Sequence, residues 1–97
     1  MKGDDNALVG NLNQVIGGSN MLQGDENKVK GDLNQVKGNN NAMQGDLNKV
    51  LGNMNTLIGS QNNVFGSENS VLGSKNNASG SQNVIEGSQN NVKGNVN

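Results

Sequence analysis

The sequence predicts an all-β chain, a two-sided parallel β-solenoid or β-roll with 14 residues per coil and ladders of valine and asparagine inside. Three observations carry that reading. Glycine recurs every seven residues from Gly3 to Gly94 without an insertion. Asparagine follows each of these glycines by three positions, and an apolar residue follows by five in every complete heptad. The chain is also too polar for an ordinary globule: apolar residues make up 30% of it, and Phe65 is its one aromatic residue. So little apolar surface cannot offset chain entropy in a conventional core, and order must come from repetition.

Setting glycine at position one gives the consensus G-x-x-N-x-V-x over the whole of residues 1–97, read as a single repeat domain. Position four is Asn from Asn6 to Asn97, including Asn13, Asn27, Asn41, Asn48, Asn55, Asn62, Asn69 and Asn76. Position six runs from Leu8 to Val92, with Val50, Val64 and Val71 typical of it. Gly18 is the one glycine outside the pattern. A period of seven suggests a coiled coil, but that needs two apolar positions per heptad, and only position six is regularly apolar. Each interior glycine would also cost a helix about 1 kcal/mol. Collagen fails because its glycine recurs every third residue.

In a strand, successive side chains alternate faces. Positions four and six then point inward, and positions three, five and seven point outward. Glycine marks the bend, where a backbone without Cβ turns sharply. One heptad is too short to close a coil, whereas two make a flat coil of 14 residues. About seven such coils stacked at about 4.8 Å would be about 33 Å long. Stacking places Val over Val and Asn over Asn. Each buried Asn is expected to bond the backbone of its own turn and the amide of the coil above. The apolar column contributes roughly 1.5–3 kcal/mol per residue, so backbone and Asn ladders must supply much of the order.

Several function classes are excluded. Net charge is −1, from seven lysines and eight acids. That does not suit nucleic acid, which calls for a basic surface with stacking aromatics. No run of about 18 apolar residues exists to span a membrane. The start, Met1-Lys2-Gly3-Asp4-Asp5, lacks the apolar stretch of a signal peptide. Histidine and cysteine are absent, which argues against a transition-metal site and leaves the redox compartment unread. Asp4, Asp25, Asp32 and Asp46 share position two with Ser60, Ser67, Ser74, Ser81 and Ser88, an interchange that reads as turn chemistry. Calcium-binding rolls repeat every nine residues rather than every seven. No nucleophile–base constellation is present, so neither catalysis nor a cofactor is expected. Asn77-Ala78-Ser79 is a glycosylation sequon, weakened because Ala78 should face inward.

At G-x-x-N-x-V-x the chain resembles the plant ice-recrystallisation-inhibition proteins, the ryegrass-type antifreeze β-rolls with xxNxVxG heptads. Segments such as Gly59-Ser60-Gln61-Asn62-Asn63-Val64 and Gly87-Ser88-Gln89-Asn90-Asn91-Val92 carry the likeness, which spans the chain. The resemblance implies a left-handed β-roll with inner Val and Asn ladders, an extracellular setting, and ice as the partner, bound through one flat face rich in Thr, Ser and Val. In architecture the chain also resembles the heads of trimeric autotransporter adhesins, whose heptads place Ser and Ala at the inner positions.

Alternate heptads should build alternate faces, so function lies in the outward residues. Neither face is a regular threonine array, and Thr56 is the one threonine. The better candidate for ice or another partner comprises Ala42, Met54, Thr56, Ile58, Ser70 and Leu72, interrupted by Lys28, Lys30, Glu68 and Glu86. Leu47, Leu51 and Phe65, with Met54, Ile58 and Leu72, are expected to point outward across both faces of adjacent coils as a self-contact cluster. The alternative to ice binding is thus a structural or adhesin-type solenoid without ice activity, assembling head to tail. The repeat is running by Gly3 and still in phase at Asn97, so the stack is expected either to offer open backbone edges to another copy or to be a segment of a longer roll. The charged Lys2, Asp4 and Asp5 argue for a monomeric end instead. Light scattering across a dilution series tests the stacking: growth in size with concentration is expected, and a monomer at every concentration excludes it.

Overall fold

The basic heptad devotes four residues to a corner and three to a strand. The computed structural model describes Gly3 and residues 5–95. Asn97, Lys2 and Asp4 lie outside the described residues. Thirteen strands follow in chain order: β1 Ala7–Val9, β2 Gln14–Ile16, β3 Met21–Gln23, β4 Lys28–Lys30, β5 Gln35–Lys37, β6 Ala42–Gln44, β7 Lys49–Leu51, β8 Thr56–Ile58, β9 Asn63–Phe65, β10 Ser70–Ser74, β11 Asn77–Ser79, β12 Val84–Ser88 and β13 Asn91–Lys93. The odd strands form a seven-stranded sheet in sequence order, and the even strands a six-stranded one. This is the expected two-sheet parallel solenoid: six coils of two strands, with β13 beginning a seventh.

Every pairing is parallel and shifted by one coil, so Val36 stacks on Val50 and Val50 on Val64. The middle residue of each strand faces the other sheet. Val15, Leu22, Val29, Val36, Met43, Val50, Leu57, Val64, Val71, Ala78 and Ile85 form one buried column, with Leu8 and Val92 packed at its ends. The Cα envelope measures 34 × 21 × 11 Å, matching the stacking length.

The corner explains why glycine and asparagine are invariant together. Gly59 has φ +130°, a region that L side chains rarely adopt, and a Cβ built on it would collide with the Gly73 carbonyl of the next coil. That carbonyl oxygen accepts a hydrogen bond from Asn62 Nδ2 at 2.8 Å. Asn62 Oδ1 accepts the backbone N–H of Asn76 at 3.0 Å. The Asn62 N–H donates to Asn48 Oδ1, also at 3.0 Å, and the Asn62 carbonyl accepts from the Lys49 N–H at 2.8 Å. All these partners lie in neighbouring coils. The expected bond to the asparagine's own turn is therefore corrected: the amide reaches the glycine carbonyl one coil on, because the missing Cβ brings that carbonyl within range. Asn90 Nδ2 instead donates to the Glu86 carbonyl at 3.3 Å. Among the described residues, no buried side-chain polar atom is left without a partner.

Position three departs from the expected strand geometry. Leu12, Leu33, Leu47, Met54, Glu68 and their counterparts sit at φ near +60°, between +57° and +61°, in the left-handed region. They occupy the corner rather than the strand, because the chain needs a left-handed residue between the glycine and the inward asparagine. Such a conformation costs an L residue about 1–2 kcal/mol. A backbone bond to the previous coil, such as Leu33 N–H to the Gly18 carbonyl at 3.0 Å, holds it.

Position two is more than a turn filler. Asn11 N–H donates to Asp25 Oδ1 at 2.8 Å, Asp25 N–H to Asn39 Oδ1 at 2.8 Å, and Asn39 N–H to Asn53 Oδ1 at 2.9 Å. On the opposite edge Gly18 N–H donates to Asp32 Oδ1 at 2.7 Å and Asp32 N–H to Asp46 Oδ1 at 2.8 Å. These outer ladders point the opposite way to the inner one: here the side chain of the later coil accepts from the earlier. From Ser60 to Ser88 serine is too short to repeat the bond, which returns where Asn95 Oδ1 accepts the Ser81 N–H at 2.8 Å. Along the serine stretch β10 and β12 lengthen instead, pairing Gly73 with Gly87 and Ser74 with Ser88.

Three substitutions test the corner. Gly59→Ala combines the collision with a strained φ and should destabilise by about 3 kcal/mol or more in denaturant unfolding. Asn62→Ala leaves the Asn76 N–H and the Gly73 carbonyl unpaired inside the stack, a loss of about 2–5 kcal/mol. Leu33→Asn relieves the left-handed strain and should stabilise by about 1 kcal/mol, since Asn tolerates that region.

Candidate functional site

Outward side chains come from the first and third residues of each strand, so each sheet displays two ranks. On the six-stranded sheet the first rank reads Gln14, Lys28, Ala42, Thr56, Ser70, Val84. The second reads Ile16, Lys30, Gln44, Ile58, Leu72, Glu86. Parallel in-register pairing sets neighbours within a rank about 4.8 Å apart and the ranks about 6.5 Å apart. The result is a planar grid, with a shallow trough between the ranks floored by Val29, Met43 and Leu57.

The structure gathers five of the six candidate face residues. Ala42, Thr56 and Ser70 stand consecutively in one rank, and Ile58 and Leu72 are neighbours in the other. Thr56, Ile58, Ser70 and Leu72 are exposed, and Ala42 is half-buried. Met54 does not join them; it sits at the corner feeding β8, at φ +57°. Glu68 likewise occupies a corner, at φ +59°, and does not interrupt the face. Sequence reasoning passed over Val84, which extends the first rank by one strand and is 65% exposed. Its signal was present: heptad position five on the same parity as Thr56.

The self-contact residues are exposed, but the structure distributes them around the roll. Leu51 and Phe65 are register neighbours on β7 and β9 of the seven-stranded sheet. Ile58 and Leu72 belong to the other sheet, and Leu47 and Met54 stand at corners. The seven-stranded face is more polar around them. It carries Lys37, Lys49 and Lys93, and its outward asparagines are linked by Asn63 Nδ2 to Asn77 Oδ1 at 3.2 Å. Asn77 and Ser79 of the sequon are exposed on β11 above the buried Ala78.

Charge separates by position. Among the described residues, acids sit chiefly at the corners, as Asp5, Asp25, Glu26, Asp32, Asp46 and Glu68. Lysines sit chiefly on the sheets. No described group of three or more acids gathers to hold a metal, and no helix is long and apolar enough to cross a membrane. What the geometry offers is a regular grid of outward side chains, short and uncharged in one rank from Ala42 to Val84.

The sequence profile of the grass antifreeze beta roll matches residues 1–97. The chain belongs to that family. A search of curated proteins returned no match. Membership in the grass antifreeze β-rolls agrees with the two-sheet stack, the buried asparagine ladder and the valine-rich column. It supports ice-directed binding as the kind of work this roll does.

Proposed function

We propose that this chain adsorbs to ice through the outer face of its six-stranded sheet, between β6 and β12. The observation that carries the reading is the uncharged grid of Ala42, Thr56, Ile58, Ser70, Leu72 and Val84, held flat and in register by parallel stacking. Ice is a periodic solid, so a binding surface must repeat. Strands locked at one spacing repeat without further adjustment. Short hydroxyl and methyl-bearing groups hold water weakly, and the hydration layer over them can join a crystal surface. Rigidity also matters: the ranks are ordered before binding, so little entropy is lost on contact. Nothing is made or broken in the process, and no cofactor enters it.

An ice-recrystallisation assay tests the proposal. At micromolar protein, crystals should stay small on annealing; coarsening as in buffer overturns the reading. Thr56→Lys places a charge at the centre of the face and should abolish the effect, with thermal stability changed by no more than about 0.5 kcal/mol. Asn63→Lys on the opposite sheet serves as the control and should retain activity. Equal loss in both variants would move binding off the six-stranded sheet.

A further inference from the structure

We infer that Lys28 and Lys30 set the limit of the ice-binding face, splitting one six-strand lattice into a working portion and a stranded remnant. The inference rests on the reading of the six-stranded sheet as the ice-binding one. Among the described residues, the outward ranks of this sheet carry charge at Lys28, Lys30 and Glu86 alone. The two lysines occupy β4 together, one in each rank, so they close both ranks at the same strand. At the other end Glu86 closes the second rank, while Val84 leaves the first open. Beyond the lysines, Gln14 and Ile16 of β2 repeat the uncharged pattern but are cut off from it.

The scaffold itself is continuous beneath them. The trough between the ranks runs from β2 to β8, with Val29 under the lysines as Met43 and Leu57 lie under the next two strands. Register passes unbroken from Gln14 through Lys28 and Ala42 to Thr56. Nothing in the backbone stops the face at β4; two ammonium groups do. An ammonium is a compact, strongly hydrated charge. It orders its own shell of water and resists giving that shell up to a crystal. Lys28 and Lys30 are exposed, so their heads stand in the layer of water where the lattice would meet the face.

The chain supplies its own replacements. β8 carries Thr56 and Ile58 at the two outward positions, and β10 carries Ser70 and Leu72. Lys28→Thr with Lys30→Ile copies β8 onto β4, and Lys28→Ser with Lys30→Leu copies β10. Either change joins β2 to the face and extends the uncharged first rank from Gln14 to Val84. Thermal hysteresis is the readout, because it rises with the area a protein holds against growth. Both double variants should show several-fold greater hysteresis than the parent at equal molarity, with unchanged circular dichroism. Lys28→Glu with Lys30→Glu keeps the strand charged and should remain at the parent level. Folded double variants with the parent's hysteresis overturn the inference. So does a glutamate pair that gains as much as the neutral pairs. The underlying reading fails separately: it falls if Thr56→Lys leaves the parent's ice activity intact, whatever the β4 variants do.

Discussion

The carbonyl of one corner glycine lies beneath the Cα of the glycine a coil earlier, and the asparagine three residues after that earlier glycine donates to it. Gly59, Gly73 and Asn62 show the arrangement, and it recurs along both edges of the roll. Close approach and hydrogen bond require each other. A Cβ on the glycine would push the carbonyl out of the amide's reach, and without the amide a buried carbonyl would stand unpaired. Spacing between coils, register of strands and orientation of side chains all follow from this contact. The sheets inherit their flatness from it, and the candidate face inherits its regular grid from the sheets.

The two inner positions obey different rules for that reason. Position six tolerates Val, Leu, Met, Ile and Ala, since a column between two sheets needs only an apolar group of about the right size. Position four tolerates no change, because asparagine alone offers a donor and an acceptor at that reach. Aspartate would lack the donor, and glutamine would overreach the carbonyl. Packing is forgiving here, and hydrogen-bond geometry is not.

Much of this was legible in the sequence. The heptad, the inward pair Asn62 and Val64, and the alternation of faces follow from period-two strands interrupted by glycine. Position three was misread because strand alternation was carried one residue too far, into the corner. Its composition held a clue: none of its described residues, among them Leu33, Glu68 and Gln82, is β-branched, as a left-handed backbone demands. Position two was read as turn chemistry because Asp and Ser look alike in a turn. Only the stacked coils show Asp25 and Asp32 accepting from the coil before. The candidate face was partly visible: Thr56, Ile58, Ser70 and Leu72 do adjoin. The corner places of Leu47 and Met54 were not, whereas the division of Leu51 and Phe65 from Ile58 and Leu72 between the two sides was, since alternate heptads build alternate faces.

That last point follows from parity. One heptad is half a coil, and consecutive heptads look to opposite sides. Gain or loss of a single heptad would leave every glycine, asparagine and valine in place, and the roll would still close. Yet every outward residue beyond the change would cross to the other side. Thr56 and Ser70 would part company, and residues of the opposite sheet would enter the ranks between them. The interior cannot sense such a change, whereas the surface is scrambled by it. Rolls of this kind can therefore lengthen or shorten freely as folds, but only in pairs of heptads as binding surfaces.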